Sequence, residues 1–315
     1  MDLLSDILGL LDLKGTLYFR TAFSPPWGLR VPAYENVARF HLVHRGRCWV
    51  AVAGGAPLLL EQGDLVIVPH GATHVLSDPP DAPVKAVDQV VAEAGYGGEG
   101  TLVYGAPGDG HKTQLVCGHF TFDRDATHPL IEALPPRLHV RNAGDGTHHW
   151  LESTLRLIGA EAGRSQLGGD LIALKLSEII FAQAIRAYLD ADGQQQRVFR
   201  GLADPQISRA LTALHRAPST AWSLDGMARE AGLSRTAFAK RFHDLMGMTP
   251  MQYLTVWRMQ LGRRLLIASD TPILEVAEQS GYRSEAAFGR VFKRHFAVGP
   301  ASYRRQRRDV VATVA

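Results

Sequence analysis

Cysteine is scarce in this chain of 315 residues: only Cys48 and Cys117 are present, too few for a disulfide scaffold and in keeping with a reducing compartment. No run of about 18 apolar residues occurs, so no membrane-spanning helix is expected. The opening Met1-Asp2-Leu3-Leu4-Ser5-Asp6 lacks the basic start of a secretory signal. No stretch reads as low-complexity or disordered. A Ser/His/Asp or phosphate-loop constellation is also missing, which counts against the common hydrolase and nucleotide-handling classes. These absences predict a soluble, cytoplasmic protein that does not enter a membrane.

Apolar residues make up 46% of the chain, enough for a substantial core and for two or more domains. The net charge of +3 conceals an asymmetry. Residues 1–200 carry 17 Lys and Arg against 22 Asp and Glu, whereas residues 201–315 carry 17 against 9. A mildly acidic front and a basic back imply that only the back meets a polyanion. A fragment beginning near residue 201 is expected to fold alone and to bind DNA.

Residues 2–11 place Leu3, Leu4, Ile7, Leu8 and Leu11 at helical spacing. From about 15 to 125 the texture changes to short β-rich runs with Gly and Pro punctuation: Thr16–Phe23, Ala38–His44, Cys48–Val52, Pro57–Leu60, Asp64–Val68, Val84–Val91 and Thr113–Phe122. Strands this short and this regularly broken predict an antiparallel sandwich or barrel. Pro79–Pro83 and Gly95–Gly100 read as loops. From about Trp150 the pattern is helical, with Leu151, Leu155 and Ile158 on one stripe. Leu171, Leu174, Phe181, Ile185 and Tyr188 then oppose Ile172, Leu176 and Ile179 across a helix, which predicts self-association. Gln194-Gln195-Gln196 reads as a linker.

One spacing recurs in the last third. Ala228-x3-Gly232 precedes Phe238-x3-Phe242, and Ala277-x3-Gly281 precedes Phe288-x3-Phe292. A small Ala lets a second helix cross closely, Gly makes the tight turn, and two Phe one helical turn apart anchor the second helix. Ser223, Ser234 and Ser284 are expected N-caps, and Thr249-Pro250 and Thr271-Pro272 each pair a cap with Pro at the first helical position. Between the units, Met251–Ile267 forms one long helix with Leu254, Trp257, Leu261 and Leu265 on its buried side.

This stretch resembles the AraC/XylS family over about residues 205–306. The resemblance is carried by Gly247-x-Thr249-Pro250-x-x-Tyr253-Leu254, Arg258, Ile273-x-x-Val276-Ala277, Gly281-Tyr282, Phe288-x-x-Val291-Phe292-Lys293, Phe296 and Gly299-Pro300-x-x-Tyr303-Arg304. It implies that each second helix enters a major groove of double-stranded DNA. The implied base readers are Arg235, Thr236, Ala239 and Lys240 in the first unit, and Glu285, Ala286, Gly289 and Arg290 in the second. Arg241, Lys293 and Arg294 are the implied phosphate partners.

Further forward, Gly63-x5-Pro69-x-Gly71-x2-His74 resembles the second motif of the cupin superfamily, with Asp78 where that family usually has Asn. The first cupin motif is not intact: before Gly46 stand Arg39 and His41-x-x-His44. The wider stretch, with Phe40-His41-Leu42-Val43-x-x-Gly46, Leu115-Val116-Cys117-Gly118 and Pro129-Leu130-Ile131-x-x-Leu134-Pro135, resembles the cupin-type sensor domain fused to AraC-family regulators. His41, His74, Cys117 and His119 form a candidate soft-metal or oxidant-sensing set, in which residues 117 and 119 share a strand face. The alternative is that the histidines are hydrogen-bonded barrel residues and Cys117 a small core hydrophobe. Cys48 is a second thiol to weigh for redox chemistry, and His148-His149 a second place for a metal.

The expected architecture is α+β and multidomain: a cupin-like β-barrel over 1–149, a helical dimerisation and linker segment over 150–200, and an all-α domain with two helix-turn-helix units over 201–308. The expected function is a non-enzymatic, sequence-specific transcription regulator that responds to a small molecule, a metal or an oxidant. Its expected partners are DNA, an effector, a second copy of the chain and RNA polymerase. The competing reading is a cupin-type metal-dependent enzyme fused to a DNA-binding domain.

Overall fold

A computed structural model describes residues 2–11, 13–98, 100–105, 112–141, 153–154, 157, 167–191 and 197–314. His148-His149, the Leu151/Leu155/Ile158 stripe and Gln194-Gln195-Gln196 lie outside the described residues. Among those described, no helix is long and apolar enough to cross a membrane.

In chain order the elements begin α1 (Leu3–Leu11), β1 (Lys14–Ser24), β2 (Trp27–Val31), β3 (Val37–Arg45), β4 (Cys48–Val52), β5 (Leu58–Leu60), β6 (Leu65–Val68), β7 (His74–Asp78) and β8 (Lys85–Ala86). They continue with α2 (Val87–Glu93), β9 (Thr101–Gly105), β10 (Gln114–Thr121), α3 (Pro129–Glu132), β11 (Leu138–Val140), α4 (Gly169–Ala191), α5 (Arg197–Ala203) and α6 (Pro205–Arg216). The last are α7 (Leu224–Ala231), α8 (Arg235–Met246), α9 (Pro250–Ala268), α10 (Ile273–Gln279), α11 (Glu285–Phe296) and α12 (Pro300–Val314). Two compact units result: Leu13–Arg124 with Leu134–Asp192, and Met1–Asp12 with Asp125–Ala133 and Gly193–Ala315.

The first unit is built on two sheets, with strand orders β11-β6-β3-β10-β1-β9 and β5-β4-β7-β2-β8. Among the described residues no pairing links one sheet to the other, so two stacked sheets stand in place of the expected closed barrel. Alternation decides what each strand buries. Phe23, Val43, Val66, Leu102, Leu115 and Cys117 from the larger sheet meet Trp27, Leu29, Val50 and Leu76 from the smaller in one core. On the opposite face of the larger sheet, Phe120 meets Phe181 of α4 with ring centroids 4.9 Å apart. Most expected strands form near their expected limits, but Val84–Val91 does not. Lys85 and Ala86 pair as a short strand, and a helix begins at Val87. The reason is readable afterwards: Val87, Val90 and Val91 stand at i, i+3 and i+4, the spacing of a helix face. The strands Trp27–Val31, His74–Asp78, Thr101–Gly105 and Leu138–Val140 were not among those expected.

The second unit is helical, and it takes in two segments from the front of the chain. Leu10 of α1 accepts from Arg263 Nη2 at 3.0 Å, and Gly9 from Arg264 Nη1 at 3.1 Å. Residues 125–133 are held from the other side. Gln260 Nε2 donates to the Asp125 carbonyl at 3.0 Å and to Thr127 Oγ1 at 3.1 Å. Gln260 Oε1 in turn accepts from Arg263 Nε at 2.9 Å. Buried Gln260 and Arg263 are thus satisfied by backbone and side chains far away in sequence, as buried polar groups require.

Candidate functional site

Each helix-turn-helix unit is delimited by caps that the sequence supplies. Ser223 Oγ accepts from the Gly226 amide at 3.1 Å, Ser234 Oγ from Ala237 at 3.3 Å, and Ser284 Oγ from Ala287 at 3.2 Å. The turns fall on Gly232 (φ 68°) and Gly281 (φ 80°), in the left-handed region where a Cβ is unfavourable. Phe238, Phe242, Phe288 and Phe292 are fully buried, and so fix which faces of α8 and α11 look outward. One expected cap does not form. Pro272 itself holds the N-cap position of α10 with no side-chain bond. Thr271 turns back onto Ser269, its amide 3.4 Å and its hydroxyl 2.7 Å from Ser269 Oγ.

α9 joins the two units. Thr249 and Gln252 form a reciprocal capping box at its start. Leu254, Trp257 and Leu266 are buried along it, while Leu261 and Leu265 are half-buried. Where it meets α11, a Cβ on Gly262 would lie 2.8 Å from the Phe288 ring, so only glycine permits this approach. Arg258, part of the family signature, is structural. Its Nε donates to the Pro218 carbonyl at 2.8 Å and its Nη2 to the Thr220 carbonyl at 2.7 Å.

The sequence-expected readers lie on the outward faces. Arg235, Thr236, Lys240, Glu285, Ala286 and Arg290 are exposed, and Ala239 and Gly289 half-buried. Arg235 pairs with Asp225 at 3.6 Å and Lys240 with Asp244 at 2.6 Å, both on exposed surface where such pairs hold weakly. Arg241 differs: it binds Asp204, whose carboxylate also caps α6 by accepting from the Gln206 and Ile207 amides at 3.0 Å. Lys293 and Arg294 are exposed in the last turns of α11.

The second candidate site lies inside the sheet unit. β3 and β10 pair with His41 opposite Cys117 and Arg39 opposite His119. Three of the four expected residues come together: His41 Nδ1 lies 3.2 Å from Cys117 Sγ, and His41 Nε2 lies 2.7 Å from His74 Nε2. His74 Nδ1 lies 2.8 Å from the Ala72 carbonyl, which can only accept. The proton positions then follow in order. His74 Nδ1 donates to Ala72, so its Nε2 accepts from His41 Nε2, and His41 Nδ1 accepts from the Cys117 thiol. Desolvation holds His74 down to about 4 and His41 well below its ordinary value, so both rings are neutral. Burial pushes the Cys117 thiol up to about 12, and Cys48 upward as well.

These positions speak against the soft-metal and oxidant-sensing set. The Cys117 thiol is buried beside an uncharged His41 that accepts from it, so desolvation keeps it protonated. Nor do the residues fit a metal: among the described residues no group of three or more His, Cys, Asp or Glu is arranged to hold one. His41 and His74 spend their Nε2 atoms on each other. His119 shares the strand face with Cys117 but stands opposite Arg39, and burial lowers its pKa to about 4. Gly118 is closely packed: a Cβ there would lie 2.5 Å from the Phe40 ring and from the Thr16 carbonyl oxygen.

His41 and Cys117 form part of the wall of a cavity of about 160 Å³. Phe23, Leu29, Val31, Leu76 and Leu115 supply its apolar surface; Thr21, Arg39 and Asp88 supply polar groups. Sequence reasoning missed Arg39 as a cavity residue. Its signal was present, since Arg39 stands two residues before His41 and therefore on the same strand face.

A cupin family model matches residues 2–190, and a helix-turn-helix domain model matches residues 227–306. An AraC-like transcription regulator of Streptomyces lividans is 33% identical over 309 residues, covering 97% of this chain and 98% of that protein. A second AraC-like transcription regulator, from Streptomyces antibioticus, is 31% identical over 307 residues, covering 97% and 99%. The HTH-type transcriptional regulator AlkR of Acinetobacter baylyi is 29% identical over 310 residues, covering 97% and 100%.

Proposed function

The chain belongs to the AraC-like family of DNA-binding transcription regulators, and we propose from this that α8 and α11 read two segments of one operator while the sheet unit senses a small molecule. The observation that carries the reading is the repeated unit: a capped helix, a glycine turn, and a second capped helix anchored by two buried Phe. Arg235, Thr236, Ala239 and Lys240 on α8, with Glu285, Ala286, Gly289 and Arg290 on α11, contact base edges. Lys293 and Arg294 hold phosphates, with Arg241 contributing a charge already shared with Asp204. The relatives' names favour a regulator over a metal-dependent enzyme. In this reading the sensor lies within residues 1–149, the dimerisation segment within 150–200 and the DNA-reading helices within 201–308, the helical unit also drawing on residues 1–12 and 125–133, with RNA polymerase as a further partner. Mapping the DNA bound by the full-length protein in cells tests this. Recurrent sites sharing a two-part motif are expected, and an even spread over the chromosome would overturn it.

A further inference from the structure

We infer that Arg258 sets the separation of the two DNA segments that this protein reads, by locking the two helix-turn-helix units to one another. This rests on the proposal that α8 and α11 read one operator, and it assigns a positioning residue to that reading. Arg258 projects from α9 and touches both units. On one side its Nε donates to the Pro218 carbonyl at 2.8 Å and its Nη2 to the Thr220 carbonyl at 2.7 Å. That loop leads into α7 and is closed on itself: the Thr220 amide and Trp222 Nε1 both donate to the Ala217 carbonyl, at 3.1 and 2.9 Å. On the other side the guanidinium lies against the turn of the second unit. A Cβ on Gly281 would be 2.6 Å from its Cζ and Nη2. Its Cζ is 5.8 Å from the centroid of the Tyr282 ring, and that ring packs at 5.6 Å on Phe288, the buried anchor of α11.

A guanidinium meets these demands together. It is flat enough to lie over a residue without a Cβ, and its donors fork toward two carbonyls in a fixed geometry, whereas an ammonium is a point charge on a flexible stem. Half-burial draws its pKa below the ordinary value, and the two carbonyls replace water that it has given up. Gly281 (φ 80°) serves the same contact, since a side chain there would displace the guanidinium and strain the backbone. α9 also shares an apolar core with the second unit through Met259 and Leu266, but such packing is non-directional. Arg258 adds the directional contact, tying the entrance of the first unit to the turn that aims the second reading helix. The consequence falls on DNA. One inserted base pair moves the second segment by about 3.4 Å and turns it by about a tenth of a full rotation. Two locked units cannot follow both changes and give up base contacts in one segment. Two loosely joined units can follow them.

The test uses the full-length protein and DNA that it selects from a random pool, with base pairs then inserted one at a time between the two parts of the selected site. The wild type is expected to lose about 10-fold or more in affinity with a single insertion, as the loss of one good base contact implies. Arg258→Met keeps an unbranched stem but removes the donors. It should weaken binding at the original spacing and cut the penalty for an insertion to about 3-fold or less, because the units are no longer held in one arrangement. Arg258→Lys, with its charge retained, should behave like Arg258→Met. Discrimination against single-base changes within each part, and the slope of log affinity against log salt, should stay as in the wild type. A wild type that accepts inserted base pairs without penalty overturns the inference, and this arm stands even if the variants fail to fold. An Arg258→Met protein that loses the same affinity at every spacing also overturns it, since Arg258 then only stabilises the domain. So does a salt slope reduced by about 1, since Arg258 then holds a phosphate. Selection of DNA with no two-part motif would overturn the reading of one operator by α8 and α11, and the lock with it.

Discussion

The Tyr253 hydroxyl donates to His215 Nε2 at 2.8 Å, and the direction of that bond is fixed by a backbone amide on another segment. The Leu130 amide donates to His128 Nδ1 at 3.1 Å, so the His128 proton sits on Nε2 and is given to Tyr253 at 3.1 Å. Tyr253 must then pass its own proton to His215, whose Nδ1 faces Asp6 Oδ2 at 3.6 Å. The chain ties α1, the 125–133 segment, α6 and α9 into one body. Tyr253→Phe removes both bonds and strands two buried ring nitrogens. A loss of about 2–4 kcal/mol is expected in urea unfolding of the full-length protein. A loss below about 0.5 kcal/mol would mean that the bonds contribute nothing net.

The same histidines set an acid limit. Desolvation lowers both His128 and His215 from 6.5 to about 3. Between those values the unfolded chain takes up protons that the folded one refuses. Stability is therefore complete above about pH 6.5 and falls progressively as pH drops toward 3. Each ring contributes a slope of about 1.4 kcal/mol per pH unit within that window. Urea midpoints for the wild type should fall between about pH 7.5 and 5.5, and His128→Gln should flatten the fall. A midpoint independent of pH would contradict the assignment.

The helix-turn-helix units were legible because their determinants are local: a Ser cap, a Gly turn and Phe four residues apart all act within one helix pair. The order of the sheets was not, since pairing β3 between β6 and β10 depends on contacts dozens of residues apart. The limit at residue 201 illustrates the same point. It cuts α5 and leaves out Asp6, Leu10, Asp125 and His128, which satisfy buried groups on α6 and α9. No residue near 201 signals that dependence, because the partners lie at the other end of the chain. At the candidate cavity, strand parity placed His41 with Arg39, but which strand would bring His74 to His41 was not encoded in any spacing.

Gly262 of α9 lies against Phe288 of α11. In Gly262→Ala the new methyl group would be 2.8 Å from Phe288 and 3.1 Å from Ser280 Oγ. Helix propensity alone favours the change by roughly 1 kcal/mol. Overpacking is expected to win, with a net loss of about 1–2 kcal/mol. DNA affinity should fall with it, since α11 must tilt. Increased stability in thermal unfolding would show that the helices can separate freely.

The proposed self-association is testable at α4. Ile180, Phe181, Ala184 and Ile185 are buried, whereas Leu171 is 61% exposed, Ile172 45% and Ile179 48%. Exposed apolar residues clustered on one helix are the kind of surface an interface covers, and a second copy is the expected occupant. Sedimentation should give a dimer, and replacing Leu171, Ile172 and Ile179 with Ser should weaken it about 10-fold or more. A wild-type monomer at high concentration would remove this proposal.

Arg290 and Lys293 provide the sharpest test of how DNA is read. Both are exposed on α11, three residues apart, so they stand nearly one turn from each other. Arg290 lies one residue past Gly289, where a Cβ would find only Pro300 at 4.0 Å. The backbone there can come close to a groove, and a guanidinium beside it is placed to grip a guanine edge. Lys293 lies in the last turn of the helix, where an ammonium meets phosphate as a point charge. Arg290→Ala should thus lose about 1–3 kcal/mol on the preferred site and little on sites changed at the base it reads. Lys293→Ala should weaken every site alike and reduce the slope of log affinity against log salt by about 1. Binding titrations on a panel of single-base variants at two salt concentrations separate the two behaviours. If both variants lose the same amount on every sequence, α11 positions the protein and reads no base.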